Sequence, residues 1–283
     1  MEVVLAKSAG FCFGVERAVN MVTEAAQKEG TDIYTYGPIV HNEQVVDELK
    51  QKGVCVISSM DEIKSIKKGT IAIRAHGVGP DVYGAIRQAG LNIIDATCPF
   101  VKKIHETVEK AASAGKNVII AGDASHPEVV GILGWSKGKG VVVSSQEELD
   151  SLNDDLLNDA ILVAQTTFHA KKFKSMVENL KKKEYNIEVA NTICNATDER
   201  QREAELLADR SDVMIVIGGR SSSNTRKLYD ICKARCNDTY FIQSLEDFYL
   251  LSDRQINTVG ITAGASTPRK IIKEVQNYVR NEF

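Results

Sequence analysis

The sequence has no long apolar segment, no excess of one charge and no disulfide-dense composition. No run approaches the roughly 18 to 20 apolar residues of a membrane helix, so a membrane-spanning protein is not expected. Positive residues number 35 and negative residues 38, which argues against binding nucleic acid through bulk electrostatics. The first residues lack the layout of a secretory signal, and we therefore expect a cytoplasmic protein.

Two common nucleotide-binding motifs are also absent. The sequence contains neither a phosphate-binding loop of the form G-x-x-x-x-G-K-[ST] nor a G-x-G-x-x-G motif after a strand. Any electrons used by the protein would therefore come from outside the chain. Cysteine is present six times, at Cys12, Cys55, Cys98, Cys194, Cys232 and Cys236. In a chain of this size without a secretion signal, we expect thiols that are buried, catalytic or metal-bound rather than disulfides.

One pattern occurs three times along the chain. Cys12, Cys98 and Cys194 are separated by close to one third of the sequence each time. Each is followed by a predicted helix (residues 13–28, 99–114 and 195–210) and a predicted strand (33–36, 118–121 and 213–217) that ends in a polar loop. A second strand then precedes a serine with an acidic residue two or three positions later, which is a helix-start signal. A third strand and another helix follow.

A fourth strand leads directly into the next cysteine in the first two repeats. The third repeat has none at its end, and residues 2–5 supply it from the N-terminus. We predict an α/β fold of three small domains with mostly parallel sheets, related by a pseudo-threefold axis around a central cavity. The predicted domains are residues 14–97, residues 98–193, and residues 194–283 completed by residues 1–13.

Polar residues follow many of the predicted strands. In parallel sheets, ligands bind beyond the carboxyl ends of the strands, so we expect these side chains to converge on one cavity. They are His41, His76, His126, Glu128, Thr166, Ser222, Ser223, Asn224 and Ser266. Hydroxyl, amide and imidazole groups near helix starts can hold a phosphate or diphosphate without a lysine cluster. The alternative is that the serines and the asparagine only cap helices.

The three repeated cysteines each lie where a strand is followed by a helix, whose N-terminus stabilises thiolates and anionic ligands. Three soft sulfur ligands without a fourth suit an iron–sulfur cluster with one open iron, although a cysteine at a strand end is often only a small buried residue. Cys55, Cys232 and Cys236 have no counterparts in the other repeats, and we expect them to be core thiols. Glu128 either stabilises its helix start or, shielded from water, donates a proton to a metal-bound substrate with Thr166 as its partner.

Nine segments closely resemble the LytB family of 4-hydroxy-3-methylbut-2-enyl diphosphate reductases, in the family's order and over essentially the whole chain. They contain Gly10-Phe-Cys12-Phe-Gly, His41-Asn42, Arg74-Ala-His76-Gly, Asp95-Ala-Thr-Cys98-Pro, His126-Pro-Glu128, Gln165-Thr166-Thr167, Ile193-Cys194, Ser222-Ser-Asn224 and Thr262-Ala-Gly-Ala-Ser266.

The resemblance implies a trefoil-like fold and a two-electron reductive dehydroxylation of (E)-4-hydroxy-3-methylbut-2-enyl diphosphate to isopentenyl and dimethylallyl diphosphates. It also implies one [4Fe-4S] cluster per chain, held by Cys12, Cys98 and Cys194 with one iron free of protein ligands. Glu128, Thr166 and His126 would be catalytic. The diphosphate would lie among His41, His76, His126, Thr166, Ser222, Ser223, Asn224 and Ser266, and a reduced ferredoxin or flavodoxin would be the electron donor.

Two other functions are consistent with a cluster that has an open iron. One is a hydro-lyase, which uses the iron as a Lewis acid and needs no reductant. The other is a redox or oxygen sensor, which would form no product and would scarcely need Glu128, Thr166 or a diphosphate-sized pocket.

Overall fold

The computed structural model describes residues 1–28, 30, 32–183, 185–248 and 255–282. The chain forms two compact units. The first contains Met1–Val15, His41–Val45 and Asn195–Phe283, and the second contains Glu16–Val40 and Val46–Cys194. No helix within the described ranges is long and apolar enough to cross a membrane.

The helices and strands follow the predicted order in each repeat. Before Cys98 they are β1 (Glu2–Leu5), α1 (Phe13–Ala26), β2 (Ile33–Tyr36), α2 (Glu43–Gln51), β3 (Cys55–Ile57), α3 (Met60–Ser65), β4 (Thr70–Ile73), α4 (Pro80–Gln88) and β5 (Asn92–Asp95). Up to Cys194 they are α5 (Pro99–Ser113), β6 (Asn117–Ala121), α6 (Pro127–Trp135), β7 (Gly140–Val143), α7 (Gln146–Asp150), α8 (Asp154–Leu157), β8 (Ala160–Ala164), α9 (Ala170–Lys182) and β9 (Ile187–Val189). After Cys194 they are α10 (Asn195–Ala208), β10 (Val213–Ile217), α11 (Ser223–Lys233), β11 (Thr239–Ile242), a 3-10 turn (Leu245–Asp247), β12 (Thr258–Ala263) and α12 (Arg269–Glu282).

Three parallel sheets with the same strand order result from this sequence of elements. The second unit contains the sheets β3-β2-β4-β5 and β7-β6-β8-β9, and the first unit contains β11-β10-β12-β1. As predicted, the N-terminal strand completes the last sheet, with Glu2 opposite Thr258 and Leu5 opposite Ile261. The predicted α/β class with parallel sheets is therefore confirmed.

In two of the sheets, the central strands β6, β8 and β10 pack apolar side chains into cores on both faces, as expected for parallel strands covered on both sides. In β6, alternate residues enter different cores: Ile119 and Ala121 pack in one, and Val118 and Ile120 pack in the other. The two-residue period of a strand accounts for this division. The carboxyl end of β6, packed on both faces, leads into the polar loop that contains His126.

The serine signals after the second strands begin helical turns as predicted. Ser59 and Glu62 form a reciprocal capping box at α3, and Ser145 accepts a hydrogen bond from the Glu148 N–H at α7. A capping box between Ser244 and Asp247 also begins the 3-10 turn. These local bonds satisfy N–H groups that a helix start otherwise leaves unpaired.

The core-thiol prediction is confirmed for Cys232 and Cys236, which are both buried, and is wrong for Cys55, which is exposed. Cys55 begins β3, an edge strand of its sheet, and the exposure of β3 decreases from Cys55 to the buried Ile57. An edge strand packs on fewer neighbours than a central one, so its first residue is not enclosed.

Candidate functional site

Each repeated cysteine is anchored through its backbone in the same way. The amide of Cys12 donates a hydrogen bond to the Ala265 carbonyl at 3.1 Å, and the amide of Cys98 donates to the Ala75 carbonyl at 2.9 Å. The amide of Cys194 donates to the Thr166 carbonyl at 3.1 Å. The acceptors lie in the loops after β12, β4 and β8, which are the third strands of the three repeats. The sequence repeat therefore extends to the hydrogen bond that positions each cysteine.

The position of the cysteines before helices favours negatively charged ligands. Cys98 is the N-cap of α5 and Pro99 is its first residue, while Cys12 and Cys194 directly precede α1 and α10. The partial positive charge of a helix N-terminus stabilises thiolates and anionic groups close to it. All three cysteines are half-buried. Three soft sulfur donors of this kind fit the requirements of an iron–sulfur cluster.

Glu128 is held by Thr166 within the second unit. It is only 2% exposed, and its carboxylate accepts a hydrogen bond from the Thr166 N–H at 2.6 Å and from the Thr166 hydroxyl at 2.7 Å. Thr166 thus contacts both the carboxylate and, through its carbonyl, the amide of Cys194. Two donors on one buried carboxylate fix its rotamer and reduce the cost of removing it from water. The predicted Glu128–Thr166 pair is therefore present as a direct contact.

His126 and His76 lie side by side in the same unit. Their ring centroids are 5.3 Å apart, and the ring planes are nearly perpendicular. His126 is the N-cap of α6, and its Nδ1 accepts a hydrogen bond from the Glu128 N–H at 3.1 Å. Because Nδ1 is an acceptor, a neutral His126 carries its proton on Nε2 and can donate from there to a ligand.

The turn after His76 is held by the buried ring of His105 and the half-buried ring of Trp135, neither of which was predicted from the sequence as a site residue. Trp135 donates from its indole N–H to the Val78 carbonyl at 2.9 Å and stacks on His105, with centroids 5.6 Å apart. His105 packs so closely on Gly77 that a Cβ at Gly77 would lie 2.5 Å from its Cε1 atom. Burial lowers the pKa of His105 to about 4, so this ring is neutral at ordinary pH. Its position inside a helix gave no sequence signal for this role.

The N-terminus of α11 lies in the first unit, where a capping serine is close in sequence to a side-chain amide without a hydrogen-bond partner for its nitrogen. Ser222 is the N-cap, and its hydroxyl oxygen accepts hydrogen bonds from the N–H and the hydroxyl of Thr225. Ser222 therefore caps α11, and whether it also binds a ligand stays a prediction. Asn224 is 5% exposed, yet its Nδ2 atom has no hydrogen-bond partner among the described residues. Unsatisfied buried donors are rare in proteins, and a donor of this kind is suited to a bound anion.

His41 also belongs to the first unit, where Ser266 contacts its backbone. The Ser266 hydroxyl donates to the His41 carbonyl at 3.1 Å, and Gly219 approaches the same carbonyl so closely that a Cβ there would lie 2.6 Å from it. Asn42 is a further buried residue, and it was not predicted from the sequence as a site residue. Its Oδ1 caps α2 by accepting from the Val45 N–H, while its Nδ2 has no partner within the described chain.

The predicted site residues thus form one group in each unit. The second unit holds Cys98, Cys194, His76, His126, Glu128 and Thr166, and the first holds Cys12, His41, Ser222, Ser223, Asn224 and Ser266. That all of them face one cavity stays a prediction.

The fold and these residues define an α/β protein in which a cysteine-bearing loop between a strand and a helix occurs three times. The family model described as LytB protein matches residues 3–280. The chain therefore belongs to the LytB family, as its motifs predicted.

Named relatives are similar over nearly their whole length. A 4-hydroxy-3-methylbut-2-enyl diphosphate reductase from Caldanaerobacter subterraneus subsp. tengcongensis is 43% identical, with 99% of this chain and 97% of that protein covered. One from Geobacter metallireducens is 44% identical, with the same coverage of 99% and 97%.

Solved structures agree with this assignment. The E-1-hydroxy-2-methyl-but-2-enyl-4-diphosphate reductase from Plasmodium falciparum has a TM-score of 0.93 to this chain at 29% identity, covering 99% of this chain and 88% of that one. A structure of (E)-4-hydroxy-3-methyl-but-2-enyl diphosphate reductase, described as the terminal enzyme of the non-mevalonate pathway, has a TM-score of 0.70 at 41% identity, covering 99% of both chains.

Proposed function

We propose that this protein is a 4-hydroxy-3-methylbut-2-enyl diphosphate reductase. It converts (E)-4-hydroxy-3-methylbut-2-enyl diphosphate to isopentenyl and dimethylallyl diphosphates, the last step of the non-mevalonate isoprenoid pathway. The reaction breaks one C–O bond, consumes two electrons and two protons, and releases water. The observation that carries the proposal is the match to proteins of this name over 99% of the chain. The buried Glu128–Thr166 pair supports it.

The cofactor in this proposal is one [4Fe-4S] cluster held by Cys12, Cys98 and Cys194. The support is the chemistry of the donor set: three half-buried thiols at helix starts, each with the same backbone anchor. When bound, the cluster supplies electrons to the substrate and an iron without a protein ligand for the substrate hydroxyl.

Glu128 is the proposed proton donor. Its burial keeps bulk water from competing for the proton, and Thr166 fixes the orientation of the carboxyl group. The Nδ1 of His126 accepts a hydrogen bond from the Glu128 N–H, so a neutral His126 carries its proton on Nε2 and would donate it from that atom to the substrate. These groups hold and move a proton at the substrate oxygen.

The diphosphate group is bound by uncharged donors and imidazoles in this proposal. The residues are His41, His76, His126, Thr166, Ser222, Ser223, Asn224 and Ser266. The unsatisfied Nδ2 of Asn224 supports the assignment because an anion would complete its hydrogen bonding. The partial positive charge at the N-terminus of α11 also favours an anion at this position.

The remaining parts of the proposal concern the electron donor, the compartment and the domains. A reduced ferredoxin or flavodoxin delivers the electrons, and the protein acts in the cytoplasm. Each sheet with its helices forms one domain, with limits at 14–97, 98–193, and 194–283 together with 1–13. The identical strand order of the three sheets supports these limits.

Oxygen-free purification and a turnover assay test the proposal. We expect brown protein with four iron and four sulfide per chain and an electron paramagnetic resonance signal after reduction. Product should form only when a reductant is present. Cys98→Ser should lose colour and activity, whereas Cys55→Ser, at an exposed cysteine, should retain both. A colourless and active wild type would contradict the proposal. Product without reductant would indicate a hydro-lyase, and a cluster without product would indicate a sensor.

A further inference from the structure

A buried arginine holds the segment that leads to Cys12. Arg200 lies on α10 and is 4% exposed. Its guanidinium donates to the Gly10 carbonyl at 2.7 Å and to the Ala196 carbonyl of its own helix at 3.1 Å. Gly10 is two residues before Cys12 and has a φ of +105°, a conformation that favours glycine.

The same helix holds the start of this segment as well. Glu203, one turn after Arg200, accepts hydrogen bonds from the N–H groups of Lys7 at 2.7 Å and Ser8 at 2.9 Å. Residues 7–10 connect β1 to the cysteine and have no regular structure of their own. Contacts from α10 at both ends therefore restrict where the Cys12 backbone can lie.

A second arginine makes the same kind of contact within the other unit. Arg17 on α1 donates to the Thr97 carbonyl at 3.2 Å and approaches the Asp95 carbonyl at 3.5 Å. Thr97 directly precedes Cys98. The fork of the guanidinium group can span two carbonyls in this way, which a lysine ammonium cannot do with the same geometry.

The two arginines lie at similar distances after a repeated cysteine, in the second turn of the helix that follows it. Arg17 is five residues after Cys12, and Arg200 is six residues after Cys194. Each lies on the helix that follows one cysteine and binds the backbone just before another. The second repeat differs: Lys103, five residues after Cys98, is exposed. In that repeat, the segment before Cys194 is held by Thr192, whose hydroxyl bonds both the N–H and the carbonyl of Ala164 at the end of β8.

We propose that Arg200 and Arg17 are positioning residues for the iron–sulfur cluster, which fix the backbone before Cys12 and Cys98 and favour the reduced cluster through their charge. The second part rests on the proposed function, since it requires the cluster. A guanidinium in a low-dielectric environment stabilises nearby negative charge, and a cluster becomes more negative on reduction. Groups outside the ligand shell commonly tune metal sites in this way.

Hydrogen exchange on the cluster-free full chain tests the positioning directly. In Arg200→Gln, we expect amides of residues 7–12 to exchange ~10-fold faster, with residues 95–98 unchanged. In Arg17→Gln, the pattern should be the reverse, so each variant is the control for the other. Lys103→Gln should change neither segment. Unchanged exchange in both arginine variants, with circular dichroism equal to the wild type, would overturn the positioning role.

The anaerobic holoprotein tests the electrostatic part. In Arg200→Gln and in Arg17→Gln, we expect a lower midpoint potential of the cluster. We also expect the visible absorbance of the cluster to decay ~10-fold faster in air than in the wild type. The lysine variants at both positions should restore the potential, because they keep the charge, but not the rate of absorbance loss. Potentials equal to those of Lys103→Gln would overturn this part. If the wild type binds no iron, the proposed function fails, and the exchange experiment still decides the positioning role.

Discussion

At the scale of single residues, the site depends on a few buried polar groups whose partners are specific. Glu128 has lost nearly all contact with solvent, and both of its oxygens accept hydrogen bonds from one residue, Thr166. A buried carboxylate with two donors has a defined orientation, in contrast to a carboxylate in water. Proton transfer depends on such orientation, so changes at Glu128 should affect turnover more than substrate binding.

Glu128→Gln keeps the shape of the side chain and removes the proton that it can donate. We expect kcat to fall by about 10²- to 10⁴-fold with little change in KM. Steady-state kinetics with a reductant under anaerobic conditions measures both constants. Thr166→Ser retains the hydroxyl and should lose less activity than Thr166→Val. A near-normal kcat for Glu128→Gln would assign proton donation to another residue.

His105 should make the stability of the protein depend on pH. Burial is the main cause that lowers the pKa of His105 from 6.5 to about 4, while Asp95 acts weakly in the opposite direction. Between these values the unfolded chain binds a proton that the folded chain does not, so stability decreases as pH falls. From pH 6.5 to pH 5 the loss is about 1 to 2 kcal/mol.

Urea unfolding at several pH values compares the wild type with His105→Phe, which keeps a ring against Trp135. The variant should lack this part of the pH dependence. Equal slopes in the two proteins between pH 5 and pH 6.5 would show that His105 becomes protonated without unfolding.

At the scale of secondary structure elements, the junction between β4 and α4 is fixed from two sides. Cys98 is held by the carbonyl of Ala75, and the next residues after Ala75 are held by Trp135 and His105. The loop between β4 and α4 thus connects a cysteine anchor to His76. A substitution that displaces this loop should therefore affect both the backbone anchor of Cys98 and the position of His76.

Gly77 and Gly90 provide a matched pair to test the loop. Both have a φ of +70°, but a Cβ at Gly77 would lie 2.5 Å from His105, whereas nothing lies within 4 Å of a Cβ at Gly90. Each alanine variant should lose roughly 1 kcal/mol to backbone strain. Gly77→Ala should lose a further ~1 to 3 kcal/mol from overpacking and should also bind inorganic diphosphate more weakly. Thermal unfolding and calorimetric titration measure these effects. Equal losses of stability in the two variants would contradict the role of the His105 contact in holding this loop.

At the scale of the whole molecule, the chain closes its third repeat with its own first strand. β1 adds to β12 in parallel, and its backbone continues into the contacts of Ala6 with Ile261 and of Cys12 with Ala265. A strand from one end of the chain therefore positions a cysteine against residues from the other end. This pairing is non-local, so it is established only when the third repeat has folded.

Removal of residues 2–5 should uncover the edge of β12 and release the Cys12 anchor. We expect a lower unfolding temperature and less iron per chain than in the wild type, because an exposed strand edge is unpaired and one cysteine loses its position. Differential scanning calorimetry and iron analysis provide the comparison, with Glu2→Ala as the control at an exposed residue. Retention of full iron content in the shortened chain would show that β1 is dispensable for the cysteine.

Some predicted features depend on local sequence and others on packing. The strands and helices of each repeat were predictable to within a few residues because periodicity, capping serines and strand length are local properties. The exposure of Cys55 was not, because it depends on β3 being at the edge of its sheet. The contacts of Arg17 and Arg200 were also invisible, since their partners are about 80 and 190 residues away in the chain.

By itself, the sequence determined the threefold pattern, the order of strands and helices, and the candidate residues at the strand ends, because these follow from spacing and from the chemistry of each side chain. Only the tertiary structure decided which groups satisfy one another. Glu128 is held by Thr166. The turn after His76 is held by His105 and Trp135, and the backbone before Cys12 is held by Arg200. The physical reason is that burial makes each polar group require a specific partner, and that partner is selected by the packing of elements distant in sequence.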